Sequence, residues 1–281
     1  MHRMSPADVA SKLIRQLDAE FADSRPDMVS ALERGVAVLR CFDEVRRVIS
    51  HTELARLTGI PRPTVTRLAG TLVTLGLLKQ DAETERFSLA AGVVSLAHAY
   101  LAGLDVRAVA RPYMQDLAEQ CGGTVMLAVR DGLDMVLIES VRPRTSMLSM
   151  NLDVGSRVPL PNSALGRAYL GAVPQIQREA LIESLRLARG TEWTVQSTAL
   201  RLALMDMQDR GHCVSMSEFY PDINSAAVPV RARDGEVLAL NCGGPAYAFP
   251  ESRLHEQIGP QLVITARQIS EELGVPHATQ R

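Results

Sequence analysis

The sequence predicts an α+β protein in two parts, a helical N-terminal region and a C-terminal region built round an antiparallel sheet. Three observations lead there. Between residues 28 and 80 apolar side chains recur every three to four positions in three short runs, the period of amphipathic helices. From residue 105 onward, β-rich runs meet at Asp131-Gly132 and again at Asp234-Gly235, a strong hairpin signal. Helical runs interleave with those hairpins, which indicates antiparallel pairing and not a doubly wound parallel sheet.

The chain totals bound the function. Its 281 residues leave room for two domains with a real core. A composition of 46% hydrophobic and 22% charged residues excludes a disordered or fibrous chain. The formal net charge of -2 excludes a bulk polycation, so any contact with nucleic acid must come from a local patch. Cys41, Cys121, Cys213 and Cys242 lie far apart with no metal-like spacing, so buried reduced thiols are expected, and neither a metal nor a cofactor. No apolar run is long enough to cross a bilayer, and the N-terminus lacks the unbroken apolar core of a signal peptide. A soluble, cytoplasmic protein with no membrane partner is expected.

Element by element, residues 6 to 21 set Val9, Leu13, Leu17 and Phe21 at four-residue spacing and predict an amphipathic helix in an N-terminal extension over 1–27. A helix opens at Ser30, with Glu33 three residues on in the pattern of a capping box. "HTELARLTG" predicts a second helix ending at Gly59, a residue suited to the left-handed position past a helix end. "RPTVTRLAGTLVTLG" follows after three or four residues, and then "LLKQD", the polar turn "AETE" and "RFSLA" predict a short hairpin. Three helices with a tight turn between the last two, then a hairpin, outline a winged helix-turn-helix over 28–90. A connecting helix is expected over 91–104, and the α/β domain over 105–277.

The third helix carries chemistry on its outer side. Val65, Leu68, Ala69, Leu72 and Leu75 form one stripe, expected to face inward. Thr64, Arg67, Thr71 and Thr74 form another, flanked by Thr66 and Gly70, and residues 58–78 contain no acid. A solvated helix usually carries Glu and Lys pairs. A helix that enters a phosphate-lined groove excludes acids, keeps small side chains at the groove wall and places arginine for guanine edges or phosphates. Proline in the first turn costs no hydrogen bond and presets φ. The helix N-terminus itself favours a phosphate.

With these residues in hand, "ALERGVAVLRCF", "TELARLTGIPRPTVTRLAGTLVTLGLL", "ERFSLAAGVVSLA", "VGSRVPLPNSALGRAYL" and "AAVPVRARDGEVLALNCGGP" together resemble the IclR family of bacterial transcription regulators. The order and spacing match from about Met28 to Gly274. The resemblance implies a winged helix-turn-helix, a linker helix and a GAF/PAS-like effector domain, in dimers or dimers of dimers that repress or activate catabolic genes. It implies Arg62, Pro63, Thr64, Thr66, Arg67 and Thr71 facing a double-stranded operator, with Arg86 in the wing on backbone phosphate. It also implies an effector pocket at Leu160, Leu165, Gly166, Ser215, Ile223, Ser225, Asn241 and Gly243. Asn162 or Ser163 would cap a helix whose free N–H groups suit a small carboxylate. Pro161, Arg167 and the ending "NCGGP" stand where the family usually has histidine, lysine and serines.

Three other readings were weighed. An enzyme lacks support: there is no Gly-x-Ser-x-Gly, dinucleotide or P-loop motif, and His212-Cys213 are sequence neighbours whose side chains leave a strand on opposite faces. No catalytic residue is therefore expected. A sensor of another winged-helix type and an oligomerisation protein without DNA specificity are the remaining alternatives.

Overall fold

The computed structural model describes residues 29–144 and 152–275, which fall into two compact units that divide between Leu104 and Asp105. The extension over 1–27 and its expected helix lie outside these residues.

In the N-terminal unit α1 spans Ser30–Leu39, α2 His51–Thr58 and α3 Arg62–Thr74. Strands β1 (Leu78–Gln80) and β2 (Phe87–Leu89) pair antiparallel, Leu78 opposite Leu89, and α4 (Gly92–Ala102) follows. The three helices and the hairpin close on Val38, Ile49, Leu54, Val65, Ala69, Leu72, Leu78 and Phe87. Removing apolar surface of this kind from water contributes about 25 cal/mol per Å².

The capping box forms at a different place from the one expected. Val29, not Ser30, precedes α1, and no side chain caps that helix. Ser30 already lies inside the first turn, where its hydroxyl has lost the N-cap geometry. The box belongs to α2. The Ser50 hydroxyl accepts from the Glu53 N–H at 3.3 Å, and the Glu53 carboxylate accepts from the Ser50 N–H at 2.9 Å. The Ser50 backbone and hydroxyl donors hold the Glu53 carboxyl below its ordinary range.

Gly59 ends α2 at φ 69°, the left-handed conformation, and α3 starts three residues later with Pro63 in its first turn. Val65, Ala69 and Leu72 are buried as expected, with Leu68 partly so. Leu75 is not. It is the C-cap residue, and with the helix ended its side chain leaves the inward stripe and is 64% exposed.

The C-terminal unit is a six-stranded sheet in the order β5-β4-β3-β8-β7-β6, with every neighbouring pair antiparallel. Its strands are β3 Thr124–Asp131, β4 Asp134–Val141, β5 Arg157–Pro159, β6 Cys213–Met216, β7 Ile223–Arg231 and β8 Val237–Pro245. Both Asp-Gly hairpins form, β3–β4 and β7–β8, which sets the register of the inner strands. Edge strand β5 was not anticipated, and β6 only at its start, where His212-Cys213 were read as strand residues; both are too short to show a period-2 pattern.

Helices cover both faces of this sheet. On one lie α6 (Ala164–Ala172), α7 (Gln175–Arg189) and α8 (Trp193–Arg210), packed on Met126, Ala128, Ala227 and Ala239. On the other lie α5 (Asp105–Cys121) and α10 (Gly259–Glu272). The closing helical segment is interrupted: α9 (Glu251–Arg253) passes through a π turn at Leu254–Ile258 before α10 begins.

Candidate functional sites

Helix α3 presents Arg62, Pro63, Thr66, Arg67, Gly70 and Thr71 to solvent, with Thr64 half-buried. The hydroxyls of Thr66 and Thr71 are turned onto the helix itself, that of Thr66 also meeting His51 Nδ1 at 3.2 Å. Thr66 donates to the Arg62 carbonyl at 3.1 Å and Thr71 to the Arg67 carbonyl at 3.0 Å. Such back-bonding satisfies each hydroxyl and leaves a small, largely methyl surface outside. Arg62 and Arg67 are then the charged groups on this face. Thr64, Arg67 and Thr71 also border a groove of about 570 Å³ between α3 and α1, lined by Leu32, Val36, Leu68 and Leu75.

Arg86 sits differently. It precedes β2, and its guanidinium turns back to the Glu53 carboxylate at 2.9 Å and the Val48 carbonyl at 3.2 Å. The expected phosphate contact in the wing is a residue that bridges to the start of α2.

In the C-terminal unit a small cavity of about 40 Å³ opens between the N-terminus of α6 and the sheet. That volume is far below the roughly 300–1,000 Å³ of a drug-sized ligand's site. The ladder explains the assembly. Ser215, Ser225 and Gly243 stand opposite one another across β6, β7 and β8, and Asn241 stands opposite Ala227 and Met126. Side chains in such rows share a face of the sheet. Of the eight expected pocket residues, Leu165, Ser215, Ile223, Ser225, Asn241 and Gly243 line the cavity.

Leu160 and Gly166 do not. Leu160 is fully buried behind the wall, and a Cβ at Gly166 would lie 2.3 Å from the Leu160 Cα and carbonyl oxygen. Gly166 is a packing residue that lets α6 approach the loop before it. Of the two cap candidates it is Ser163 that caps α6. Its Oγ accepts from the Gly166 N–H at 3.1 Å and donates to the Pro159 carbonyl at 2.5 Å.

Arg167, the residue at the family's lysine position, is 2% exposed and fully engaged. It donates to the Pro161 carbonyl at 3.0 Å and the Val214 carbonyl at 2.9 Å, and pairs with both oxygens of Glu218. A planar guanidinium supports this fork where an ammonium could not. The pair fastens residues 217–222 beside the cavity, whose rim includes Phe219 and Tyr220.

Comparison with known proteins decides the family. Residues 98–271 match the bacterial transcriptional regulator IclR C-terminal domain, and residues 31–82 match the IclR helix-turn-helix domain. The chain belongs to the IclR family. It is 32% identical over 256 residues to the HTH-type transcriptional regulator TsaQ1/TsaQ2 of Comamonas testosteroni, covering 90% of this chain and 92% of that one. It is 30% identical over 272 residues to the Pca regulon regulatory protein of Pseudomonas putida, covering 96% and 92%. An IclR family transcriptional regulator from Brucella abortus of known structure is 40% identical, with a TM-score of 0.83 over 89% of this chain and 94% of that chain. The chain is thus a DNA-binding transcriptional regulator with an N-terminal helix-turn-helix and a C-terminal α/β domain, and not an enzyme.

Sequence reasoning missed several cavity residues of this IclR-family chain: Met126, Leu152, Val158, Ala164, Phe219 and Tyr220. For Phe219 and Tyr220 a signal existed. They are two of only ten phenylalanines and tyrosines in the chain and directly follow Glu218. Outside the cavity, the buried Cys213 thiol is pushed up to about 12 by desolvation, which makes it an inert packing group. His212 contacts His255 at 3.2 Å, not Cys213 chemistry. No cluster of metal-binding side chains occurs among the described residues, and no single helix there is long and apolar enough to cross a membrane.

Proposed function

We propose that this IclR-family regulator reads its operator through Arg62, Pro63, Thr64, Thr66, Arg67 and Thr71, and that a small carboxylate in the C-terminal cavity controls it. The acid-free, exposed face of α3 carries the first half: two arginines over a surface of methyl groups match a groove walled by phosphates. Arg86 contributes to phosphate binding only by leaving Glu53. The working form is a homo-oligomer, a dimer or dimer of dimers, that sets two α3 helices in half-sites roughly 34–36 Å apart. Helix α4 supports this, since none of its residues is buried although Val94, Leu96 and Tyr100 are among them. The domain limits follow as 28–90, 91–104 for the linker and 105–277 for the effector domain. The gene products it controls are those of a catabolic operon, and the protein works in the cytoplasm. Effector binding shifts the domains between two states through α4.

The test is a gel shift on the DNA upstream of its own gene. Arg67→Ala weakens binding by about 1–3 kcal/mol and lowers the salt dependence, with the helix content unchanged. Unchanged affinity and salt slope in that variant would remove α3 as the reading element.

A further inference from the structure

Asn241 is an anomaly among the buried polar side chains. It stands on β8 opposite Met126 and Ala227, on the face of the sheet that carries α6, and is 7% exposed. It lines the cavity, yet its Oδ1 has no hydrogen-bond partner. Of the serine hydroxyls lining the cavity, Ser163 is engaged as the cap of α6 and Ser215 on the Asn162 carbonyl at 3.0 Å, which leaves Ser225 as a second polar group on the same face. An amide oxygen buried without a partner forfeits the hydrogen bond it made with water in the unfolded chain, so a partner from outside the chain recovers free energy there.

The rest of the cavity limits what that partner is. Ala164 and Leu165 line it from the first turn of α6, where backbone N–H groups have no acceptor within the helix. An end of this kind favours an anionic group. No lysine, arginine or histidine lines the cavity among the described residues. Arg167 is committed to Glu218, and residues 145–151, "TSMLSMN", which precede Leu152, carry no charge. A second carboxylate would be buried uncompensated. An ammonium would equally lack a counter-ion, because no acid lines the cavity either.

We infer that Asn241 is the specificity-determining residue of the effector site, selecting a monocarboxylate that carries a hydroxyl remote from the carboxyl group. A hydroxyl both donates and accepts, so it satisfies the amide whichever way its oxygen and nitrogen are turned. Met126, Val158, Leu165 and Ile223 cover the carbon skeleton between the two polar ends. The inference rests on the cavity being the effector site.

Calorimetric titration of the full-length protein with benzoate, 4-hydroxybenzoate, butyrate and 4-hydroxybutyrate tests it. In the wild type each hydroxy acid that binds does so at least about tenfold more tightly than its deoxy counterpart, because the deoxy acid leaves the amide unpaired. In Asn241→Leu that ratio falls below about twofold while the deoxy acid binds as well as before or better. Asn241→Ser, which keeps a hydrogen-bonding group, guards against a folding defect and retains part of the preference. Equal affinities in the wild type, or a preference that survives in Asn241→Leu, overturn the assignment and leave the cavity as the effector site. No binding by any of the four acids, with the fold intact, overturns both that site and the role of Asn241.

Discussion

The outer face of α3 and the cavity beside α6 are two ways of building a site. The α3 face comes from one helix of 13 residues, and its side chains reach solvent by the helical period alone. The cavity draws on β3, β6, β7, β8 and the start of α6, from Met126 to Gly243. It exists only once the β3–β8–β7–β6 ladder is in register. The first site therefore survives loss of its neighbours' packing better than the second. Chemistry on a helix face depends on local order, whereas chemistry in a recess depends on the whole sheet.

The largest expected effect breaks the cavity without touching α3. Gly166→Ala places a methyl group 2.3 Å from the Leu160 main chain, where no side-chain rotamer can relieve the contact. It is expected to destabilise the C-terminal unit by about 3 kcal/mol. The protein has one tryptophan, Trp193, and it lies in that unit at the start of α8. Urea unfolding followed by its fluorescence reports that unit directly. A midpoint unchanged from the wild type would show that α6 can move away from the loop, and that the wall of the cavity is soft.

The same contrast explains what the sequence could disclose. Gly59, the two Asp-Gly turns and the 65/69/72 stripe are legible because each rests on a local rule: a positive φ, a hairpin turn, a 3.6-residue period. Leu75 misled because periodicity continues past the residue at which a helix ends. The Ser30–Glu33 spacing misled because an identical spacing is a capping box only if the serine stays outside the first turn. In the cavity, Leu165, Ser225, Asn241 and Gly243 came from the resemblance to the IclR family and not from a local rule. Met126 was visible as a strand residue, but its place beside Asn241 depends on the pairing of β3 with β8, which no local pattern encodes. Leu160 shows the converse. It neighbours the cap in sequence, yet the chain turns it into the core.

A smaller change sharpens the comparison from the other side. Ser50→Ala removes both the cap of α2 and the hydroxyl donor to Glu53, and is expected to cost about 1 kcal/mol. The loss belongs to the N-terminal unit. Amide exchange over His51–Thr58 quickens, while the Trp193 transition keeps its midpoint. A shift of both signals together would mean that the two units unfold as one, and that the distinction between them is not energetic.

The smallest expected effect is one of pH. His212 is buried, donates from Nδ1 to the Arg210 carbonyl at 3.3 Å, and faces His255, with Arg210 and Asp206 also acting on it. Burial, assisted by the neighbouring His255 and Arg210 charges, holds its pKa below the ordinary histidine value of 6.5. The folded state thus resists a proton that the unfolded chain accepts. Between the two pKa values the unfolded state binds more protons, so stability rises with pH across that window. His212 accordingly adds no penalty above about pH 6.5 and lowers stability progressively as the pH falls below it. The Trp193 midpoint should fall between pH 7 and pH 5.5 in the wild type and fall less in His212→Gln. The fall should be absent from amide exchange in α2, because no part of the capping box titrates there: the Glu53 carboxyl, held below its ordinary range, stays ionised. Equal slopes in wild type and variant would assign the acid sensitivity of this unit to other groups, and would leave the His212–His255 contact as packing alone.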